Sequence, residues 1–209
     1  MRTLLVIVLP CAFLGTVSFV ESACAKAKIT TFDPPGSTST QAVSINSAGA
    51  ITGTYLESGK WHAFLRATDG SFTSFDPPGA KWTQAVSINA TGAITGYYFD
   101  TSGYTHGFIR TPAGKFTEFG PNGQGTFVTS INSRASVTGS YPYGSNGRHG
   151  FVRARDGTLT TFDPSESSQT YPESINRKGA VAGYYYSESL VSHGFVRSPQ
   201  GKIVSFDPS

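Results

Sequence analysis

The chain has 209 residues, and its 16 lysines and arginines against 13 aspartates and glutamates leave a formal net charge of +3. Because these basic residues occur singly or in pairs and never in a cluster, the charge pattern argues against a nucleic-acid interface. Aromatic residues make up 13% of the chain, which is typical of a protein rich in β-strands.

The first 25 residues are predicted to be a secretory signal peptide. Arg2 precedes a long apolar run, and the run ends in the small-x-small cleavage site ACA. A lipoprotein signal with an acylated Cys24 is the alternative, and Glu21 argues against it because it stands where that signal has an aliphatic residue. The apolar run is short for a membrane span and no second run follows. We therefore expect residues 26–209 to be secreted or periplasmic, without a membrane span.

Both cysteines of the chain, Cys11 and Cys24, lie within this predicted signal. The remaining chain is therefore predicted to have no disulfide, no thiolate metal site and no cysteine nucleophile. Residues 26–209 are enough to bury a core of their own, so we expect them to fold as a single repeat domain without such cross-links.

An internal repeat fills that domain. The second phenylalanine of each FTxF-like segment recurs at steps of 43 or 44 residues, and the SIN motif recurs at the same spacing. Four complete units follow one another, with a fifth copy of the FDP segment at one end. The phenylalanines that define the period are Phe32, Phe75, Phe119, Phe162 and Phe206.

Each unit is predicted to contain four short strands. In the second unit these are QAVSIN, AITGYYF, THGFIRT and FTEF, with an Asn-x-x-Gly turn, a loop and the turn PAGK between them. The longest connection, such as FDPPGAKWT, leads to the next unit. Four strands in about 43 residues are typical of a propeller blade. The predicted fold is all-β, a small β-propeller of four four-stranded blades, with half of a larger propeller closed by dimerisation as the alternative.

Ring closure is left open by the sequence. Four inner strands accompany five FDP strands, so either ITTF at residues 29–32 or IVSF at residues 203–206 closes the last unit as a clasp. An open array is less expected, because it would leave strand edges exposed. The protein is accordingly expected to be a monomer or a homodimer.

The repeat SIN-x-x-G-x-(I/V)-x-G-x-Y, followed by HGF and FTxFDPPGA, resembles the HAF-type repeat of bacterial putative extracellular proteins. The resemblance covers residues 29–209 and implies export and tandem β units, but no activity. Two departures occur in the third unit: Gly120 replaces the aspartate of FDP, and Ala135 replaces the turn glycine. Glycine at that turn position is expected to adopt a positive φ angle, so alanine there lowers the free energy of unfolding by about 1 kcal/mol.

All four histidines occupy one repeat position, at His62, His106, His149 and His193. Hairpin register places three of them near an FDP aspartate, at Asp76, Asp163 and Asp207, whereas His106 falls near Gly120 and lacks that partner. A structural hydrogen bond repeated in each unit is the favoured interpretation. A ring of four imidazoles around a metal ion is the alternative, and we expect neither a metal nor a cofactor.

The arginines at a second repeat position are also interpreted as structural. We expect each side chain to lie over an aromatic ring and each guanidinium to pair with a carboxylate or carbonyl, with an anion site as the weaker alternative. These arginines are Arg66, Arg110, Arg153 and Arg197.

Function is better sought where the units differ. In a propeller the two long connections of each unit open on one face, and here they carry aromatic residues among serines, threonines and glycines. Such loops suit stacking on sugar rings or contact with another protein, so we expect a polysaccharide or an extracellular protein as the partner. The candidate residues are Trp61, Trp82, Tyr104, Phe127, Tyr143 and Tyr171, with Lys81 and Arg148 nearby.

Catalysis has little support in the sequence. We find no Gly-x-Ser-x-Gly elbow, no His-Glu-x-x-His, no phosphate loop and no dinucleotide fingerprint. The aspartates of the FDP segments precede proline, where their ordinary role is turn formation. The predicted function is a non-catalytic binding module at or outside the cell envelope. A structural or adhesive repeat module is the alternative, and an exported hydrolase is the third candidate.

Overall fold

A computed structural model describes residues 29–121, 125–145 and 147–207 of the chain. The predicted signal peptide lies outside these residues. The chain divides after Phe32, and residues 29–32 form no strand. All sixteen strands of the described chain lie in the second part, Asp33–Ser209. Among the described residues, no helix has the length and apolar character needed to cross a membrane.

The strands fall into four successive repeat units, each with four strands. Repeat unit 1 contains β1 (Ser39–Ile45), β2 (Ile51–Glu57), β3 (Lys60–Arg66) and β4 (Phe72–Phe75). Repeat unit 2 contains β5 (Trp82–Ile88), β6 (Ile94–Phe99), β7 (Thr105–Arg110) and β8 (Phe116–Phe119). Repeat unit 3 contains β9 (Phe127–Ile131), β10 (Val137–Tyr143), β11 (Gly147–Arg153) and β12 (Leu159–Phe162). Repeat unit 4 contains β13 (Ser167–Ile175), β14 (Val181–Ser187), β15 (Ser192–Arg197) and β16 (Ile203–Phe206).

Each repeat unit is an antiparallel meander in which every strand pairs with the next strand of the chain. Repeat units 1 and 2 form separate four-stranded sheets. Repeat units 3 and 4 join through a single parallel bridge between Arg148 on β11 and Gln169 on β13. The four-stranded units expected from the repeat are thus confirmed, and ITTF does not contribute a fifth outer strand.

The turn between the first two strands of a unit is built by its asparagine. In repeat unit 2 the Asn89 Oδ1 atom accepts hydrogen bonds from the N–H groups of Thr91 and Ala93, both at 3.0 Å. Gly92 then adopts a φ of 82°, a left-handed conformation that glycine takes without steric cost. At the equivalent position of repeat unit 3, Ala135 is held at a φ of 61°, as the sequence predicted.

Replacing Ala135 by glycine is expected to raise the free energy of unfolding by about 1 kcal/mol, because the left-handed conformation strains a residue with a Cβ atom. Denaturant unfolding monitored by circular dichroism measures this change. The reverse change, Gly92→Ala, serves as the control: its Cβ would meet nothing closer than 3.7 Å, so it should cost a similar amount. Equal stability of all three proteins would contradict the strain argument.

The hydrophobic core lies between successive repeat units. Side chains from the third and fourth strands of one unit pack against the first three strands of the next. We call each such interface between successive units a joint, and the same repeat positions contribute to all three joints. The outer phenylalanine of one unit meets the third-strand phenylalanine of the next edge-on, with ring centroids 5.8–6.4 Å apart. These pairs are Phe75 with Phe108, Phe119 with Phe151, and Phe162 with Phe195.

A β-bulge interrupts the first strand of every unit and brings its backbone unusually close to the second strand. In repeat unit 2 the register shifts between Ala85 and Ser87. A Cβ atom on Gly96 of β6 would lie 2.0 Å from the Gln84 carbonyl oxygen. The glycine of the motif ITG therefore leaves room for backbone, a requirement that the sequence pattern did not reveal.

The two ends of the array are exposed, so the sheets of the described chain do not close into a ring. Val43 and Ile45 of β1 face solvent at one end, and Val196, Val204 and Phe206 face solvent at the other. Of the two alternatives that the sequence left open, IVSF is the segment that completes the last unit: as β16 it pairs with β15, and residues 29–32 form no strand. This pairing does not produce the expected closure of a ring within one chain.

Candidate binding site on the loop face

The connections between units and the loops between the second and third strands open on one side, here called the loop face. Trp82 is the first residue of β5, and Phe99 is the last residue of β6, directly opposite it in the strand register. Their rings stack, with centroids 4.8 Å apart and planes inclined by 20°. Pairing of β5 with β6 thus fixes the position of Trp82 at the loop-face end of the sheet.

Trp61 and Trp82 line a cleft between repeat units 1 and 2, with a volume of about 400 Å³. Lysines from both units stand at this cleft, together with the carboxylate of Asp100. A smaller hollow below the two tryptophans is lined by Gln41, Thr54 and Gln84. The arrangement combines two indole rings with cationic, anionic and amide groups, which is the mixture of apolar and polar surface found in ligand sites. The cleft lysines are Lys60 and Lys81.

Several polar groups at this cleft already have partners within the protein: Asp100 Oδ1 accepts from the N–H groups of Ser102 and Tyr104, and Lys60 Nζ lies 3.2 Å from Asp76. The Nε1 atom of Trp82 is buried and, among the described residues, has no hydrogen-bond partner. A hydrogen bond from His106 holds the pKa of Asp100 below its usual value, and Asp100 therefore stays an acceptor at neutral pH.

From the cleft, a strip of half-buried aromatic rings continues across repeat units 2 to 4. Tyr97 lies 6.2 Å from Phe99 and 5.3 Å from Phe127, measured between ring centroids. The Arg148 guanidinium then lies over both Phe127 and Tyr171, at 4.8 and 5.2 Å. Tyr171 finally stacks on a neighbouring tyrosine at 4.9 Å. We call this set the aromatic strip: Trp82, Phe99, Tyr97, Phe127, Arg148, Tyr171, Tyr184 and Tyr186.

Burial raises the pKa of two tyrosines in this strip, Tyr97 and Tyr184. Loss of hydration raises the pKa of Tyr97, whose hydroxyl donates to the Gln84 side chain at 2.8 Å. The same cause raises the pKa of Tyr184. Both hydroxyls therefore stay protonated well into the alkaline range and present neutral polar groups along the strip.

The structure brings together four of the six aromatic residues that the sequence singled out. Trp61 and Trp82 share the cleft, and Phe127 and Tyr171 share the guanidinium of Arg148. Tyr104 and Tyr143 are exposed and lie outside the strip, and Tyr143 instead packs on His149 with centroids 4.4 Å apart.

Sequence reasoning missed the second-strand members of the strip: Phe99, Tyr97, Tyr184 and Tyr186. A signal was present in the alternation of the strand, because these residues have the opposite parity to the core residues Tyr98 and Tyr185 and so face the other side of the sheet.

Three of the repeated histidines bind the FDP aspartate of their own unit, as hairpin register predicted. His62 Nδ1 lies 2.7 Å from Asp76, and His193 Nδ1 lies 2.9 Å from Asp207. His149 Nδ1 makes the same contact with Asp163. Each imidazole also lies against the second-strand tyrosine of its unit. Among the described residues no cluster of three or more histidines, cysteines or carboxylates could hold a metal ion.

His106 lacks the FDP aspartate, as the sequence indicated, but it contacts two other carboxylates that the sequence analysis did not anticipate. Its Nε2 atom lies 3.0 Å from Asp100, and its Nδ1 atom lies 3.0 Å from Glu118. Glu118 also accepts a hydrogen bond from Tyr98 at 2.5 Å, and burial is the main cause that raises the pKa of that tyrosine. Two carboxylates from elsewhere in the unit thus replace the aspartate missing at Gly120.

The repeated arginines join neighbouring units, in agreement with their structural interpretation. Arg110 Cζ lies 4.7 Å from the ring centre of Phe75 in the preceding unit, and Arg153 and Arg197 make the equivalent contacts. The guanidinium of Arg153 donates to the Ala154 carbonyl at 3.3 Å, and that of Arg197 donates to the Ser198 carbonyl at 3.2 Å. Burial lowers the pKa of Arg110, Arg153 and Arg197. In repeat unit 1, Arg66 lies over Phe72 of its own unit at 6.0 Å.

No family model and no curated protein sequence matches this chain. Solved structures do match it. TolB from Acinetobacter baumannii superposes with a TM-score of 0.62 at 12% identity, over 82% of this chain and 44% of TolB. A catalytically inactive virginiamycin B lyase from Staphylococcus aureus, bound to quinupristin, gives 0.60 at 15% identity, over 88% and 61% of the two chains. A gluconolactonase from Xanthomonas campestris gives 0.51 at 12% identity, over 81% and 62%.

TolB and virginiamycin B lyase are β-propeller proteins, so the likeness shows that this chain has a β-propeller-like fold. The chain spans less than two thirds of the length of each of these neighbours. At these identities the comparison concerns the fold and assigns no activity.

Proposed function

We propose that this protein is an exported, non-catalytic binding module that recognises a carbohydrate through its loop face. The observation that carries the proposal is the meeting of Trp61 and Trp82 in one cleft, where Lys60, Lys81 and Asp100 supply polar partners. Sugar rings present apolar C–H faces and a rim of hydroxyls. Indole rings match the faces, and the charged groups match the rim.

The aromatic strip extends this site along the array. Ring contacts at 4.8–6.2 Å lead from Trp82 to Phe127, and the Arg148 guanidinium connects Phe127 to the stacked tyrosines of repeat unit 4. A surface of this length fits a polymer better than a single sugar. We therefore favour a polysaccharide of the cell envelope or its surroundings as the ligand.

The architecture and location that accompany this function are also proposals. We infer that the four repeat units are four propeller blades of the HAF-type repeat, and that residues 1–25 direct the protein to the periplasm or the outside of the cell. The exposed ends of the array favour a larger propeller completed by a second copy over a ring closed within one chain. The blades would serve as a rigid scaffold, with the repeated histidine contacts within each blade and the repeated arginine contacts between neighbouring blades.

Binding is tested by pull-down of the purified protein on a panel of insoluble and immobilised polysaccharides, including peptidoglycan. We expect at least one member to retain the protein, and Trp61→Ala combined with Trp82→Ala to weaken retention at least tenfold, since each buried aromatic contact contributes about 1–3 kcal/mol. Tyr104→Ala is the matched control, because this exposed aromatic residue of the same face lies outside the cleft. Its binding should be unchanged.

Equal loss of binding in the Tyr104 variant would show that the cleft is not the site. Failure of every polysaccharide to retain the unsubstituted protein would favour the second candidate function, a site for an extracellular protein. Arg148 between Phe127 and Tyr171 supports that candidate, since arginine and aromatic residues are enriched in protein interfaces.

An exported hydrolase has the least support. Paired-carboxylate hydrolysis of a glycoside needs two carboxyl groups that flank the scissile bond. Asp100 is the one carboxylate among the described residues that line the cleft.

A further inference from the structure

We propose that two copies of this chain pair head to tail, with the exposed face of repeat unit 4 in one copy receiving repeat unit 1 of the other. The proposal rests on the blade arrangement inferred above but not on the ligand. Its basis is that both halves of an interface already used three times inside the chain lie open at the two ends.

The internal joints define what such an interface contains. At each joint an aliphatic side chain of the third strand and the phenylalanine of the fourth strand pack against the isoleucine of the next SIN motif. The three joints use Leu65 and Phe75 with Ile88, Ile109 and Phe119 with Ile131, and Val152 and Phe162 with Ile175. The isoleucines are only 5–6% exposed, so the joints are closely packed.

The equivalent positions at the two ends are open. Ile45, the isoleucine of the first SIN motif, is 65% exposed. At the other end Val196 is 42% exposed and Phe206 is 55% exposed, although they hold the places of Ile109 and Phe119. Apolar positions that are buried or half-buried at the three joints are therefore exposed to solvent at the two ends of the array.

A polar ladder crosses the same joints. The Nδ2 group of each SIN asparagine donates to the backbone carbonyl of the next SIN asparagine: Asn46 to Asn89 at 3.2 Å, Asn89 to Asn132 at 3.0 Å, and Asn132 to Asn176 at 2.9 Å. The SIN serine hydroxyl accepts from the backbone N–H of the next SIN isoleucine, as Ser44 does from Ile88 at 3.2 Å. Neighbouring units are thus held in register by one donor and one acceptor each.

This ladder ends with complementary groups. Asn176 and Ser174 are exposed in repeat unit 4, and within the described chain their side chains have no following unit to contact. At the start of the array, the Asn46 carbonyl and the Ile45 N–H hold the positions that receive these contacts in the other three units. The end of one copy therefore offers the donor and acceptor that the start of another copy requires.

A second copy is the occupant that these observations select, because its surface carries the matching half of every contact. Two such joints close a pair of chains into one ring of eight units, whereas a joint with a different rotation would produce an open chain of copies. Four units cover only 44% of TolB and 61% of virginiamycin B lyase, which agrees with an arc that is shorter than a complete propeller.

Analytical ultracentrifugation of the purified protein without ligand tests the pairing. We expect the mass of two chains, and the mass of one chain for Ile45→Lys, because a charge would be buried in both joints. Leu190→Lys is the matched control, since Leu190 is equally apolar and 70% exposed but lies in a loop outside the joint. Thermal unfolding by circular dichroism checks that each variant is folded.

A mixing experiment identifies the geometry. Val196→Lys alters only the other half of the joint and should also yield single chains. A mixture of the Val196→Lys and Ile45→Lys proteins can form one unaltered joint. The fraction of chains in the two-chain species should therefore be at least tenfold higher in the mixture than in either variant alone.

Three outcomes would overturn the proposal: single chains at every concentration of the unsubstituted protein, a mass that grows continuously with concentration, or pairing by Ile45→Lys alone. Each can occur whether or not polysaccharide binding is found.

Discussion

Replacing Gly96 by alanine is expected to lower the free energy of unfolding by about 3 kcal/mol or more, because the new Cβ would lie 2.0 Å from a backbone oxygen. No side-chain rotation relieves this contact, so strands β5 and β6 must separate. Because β5 is covered by repeat unit 1, their separation would also disturb the first joint. Denaturant unfolding of the variant and the unsubstituted protein measures the loss.

Gly53→Ala provides the matched comparison in repeat unit 1. Its Cβ would meet the Gln41 carbonyl at 1.9 Å, an equally short contact. Within the part of the chain that the structure describes, no preceding repeat unit covers β1, and its residues Val43 and Ile45 are exposed. This strand is therefore freer to shift, and we expect the loss to be about half that of Gly96→Ala. Equal losses would show that the cost comes from the hairpin alone and not from the joint.

Removing the Asn89 side chain is expected to cost about 3 kcal/mol, since a buried hydrogen bond contributes about 1 kcal/mol and this amide makes several. Its Oδ1 atom accepts from Thr91 and Ala93, and its Nδ2 group donates to the Asn132 carbonyl of the next unit. Asn89→Ala therefore loses both the turn and a step of the ladder. Thermal or denaturant unfolding gives the magnitude.

Asn176→Ala separates these two contributions. The Asn176 Oδ1 atom makes the same turn, accepting from Lys178 at 2.9 Å and from Ala180 at 3.0 Å, but the residue is exposed at the end of the array. We expect a loss of about 1 kcal/mol for it under conditions where the protein is a single chain. Similar losses for the two variants would mean that the ladder between units contributes nothing to stability.

The sequence predicted those features that depend on neighbouring residues within one unit. Strand positions followed from the alternation of Val, Ile, Phe and Tyr between glycine-rich turns, and the positive φ of Ala135 followed from the glycines at its equivalents. The contacts of His62, His149 and His193 with their aspartates also followed, because a short hairpin fixes which residues lie opposite each other.

Features that depend on the stacking of units were not predictable in this way. The aromatic strip joins side chains of three units, and their spacing depends on the angle between sheets, which no local pattern encodes. Ile45 is exposed because the angles between successive sheets, added over the whole array, do not bring the last repeat unit against the first. The partners of His106 were missed for another reason: Asp100 lies in a loop whose sequence varies between units, and repeat unit 4 has Ser187 at the equivalent position of a loop with the same backbone hydrogen bonds.

The asparagine ladder has a consequence for how such a protein changes over time. Each repeat unit meets only its neighbours, and it meets them through the same donor, acceptor and apolar positions. Duplication of one segment of 43 or 44 residues would insert a new unit whose two faces fit those already present. A single recombination event can therefore change the number of repeat units, while the loop-face residues of each unit are free to diverge.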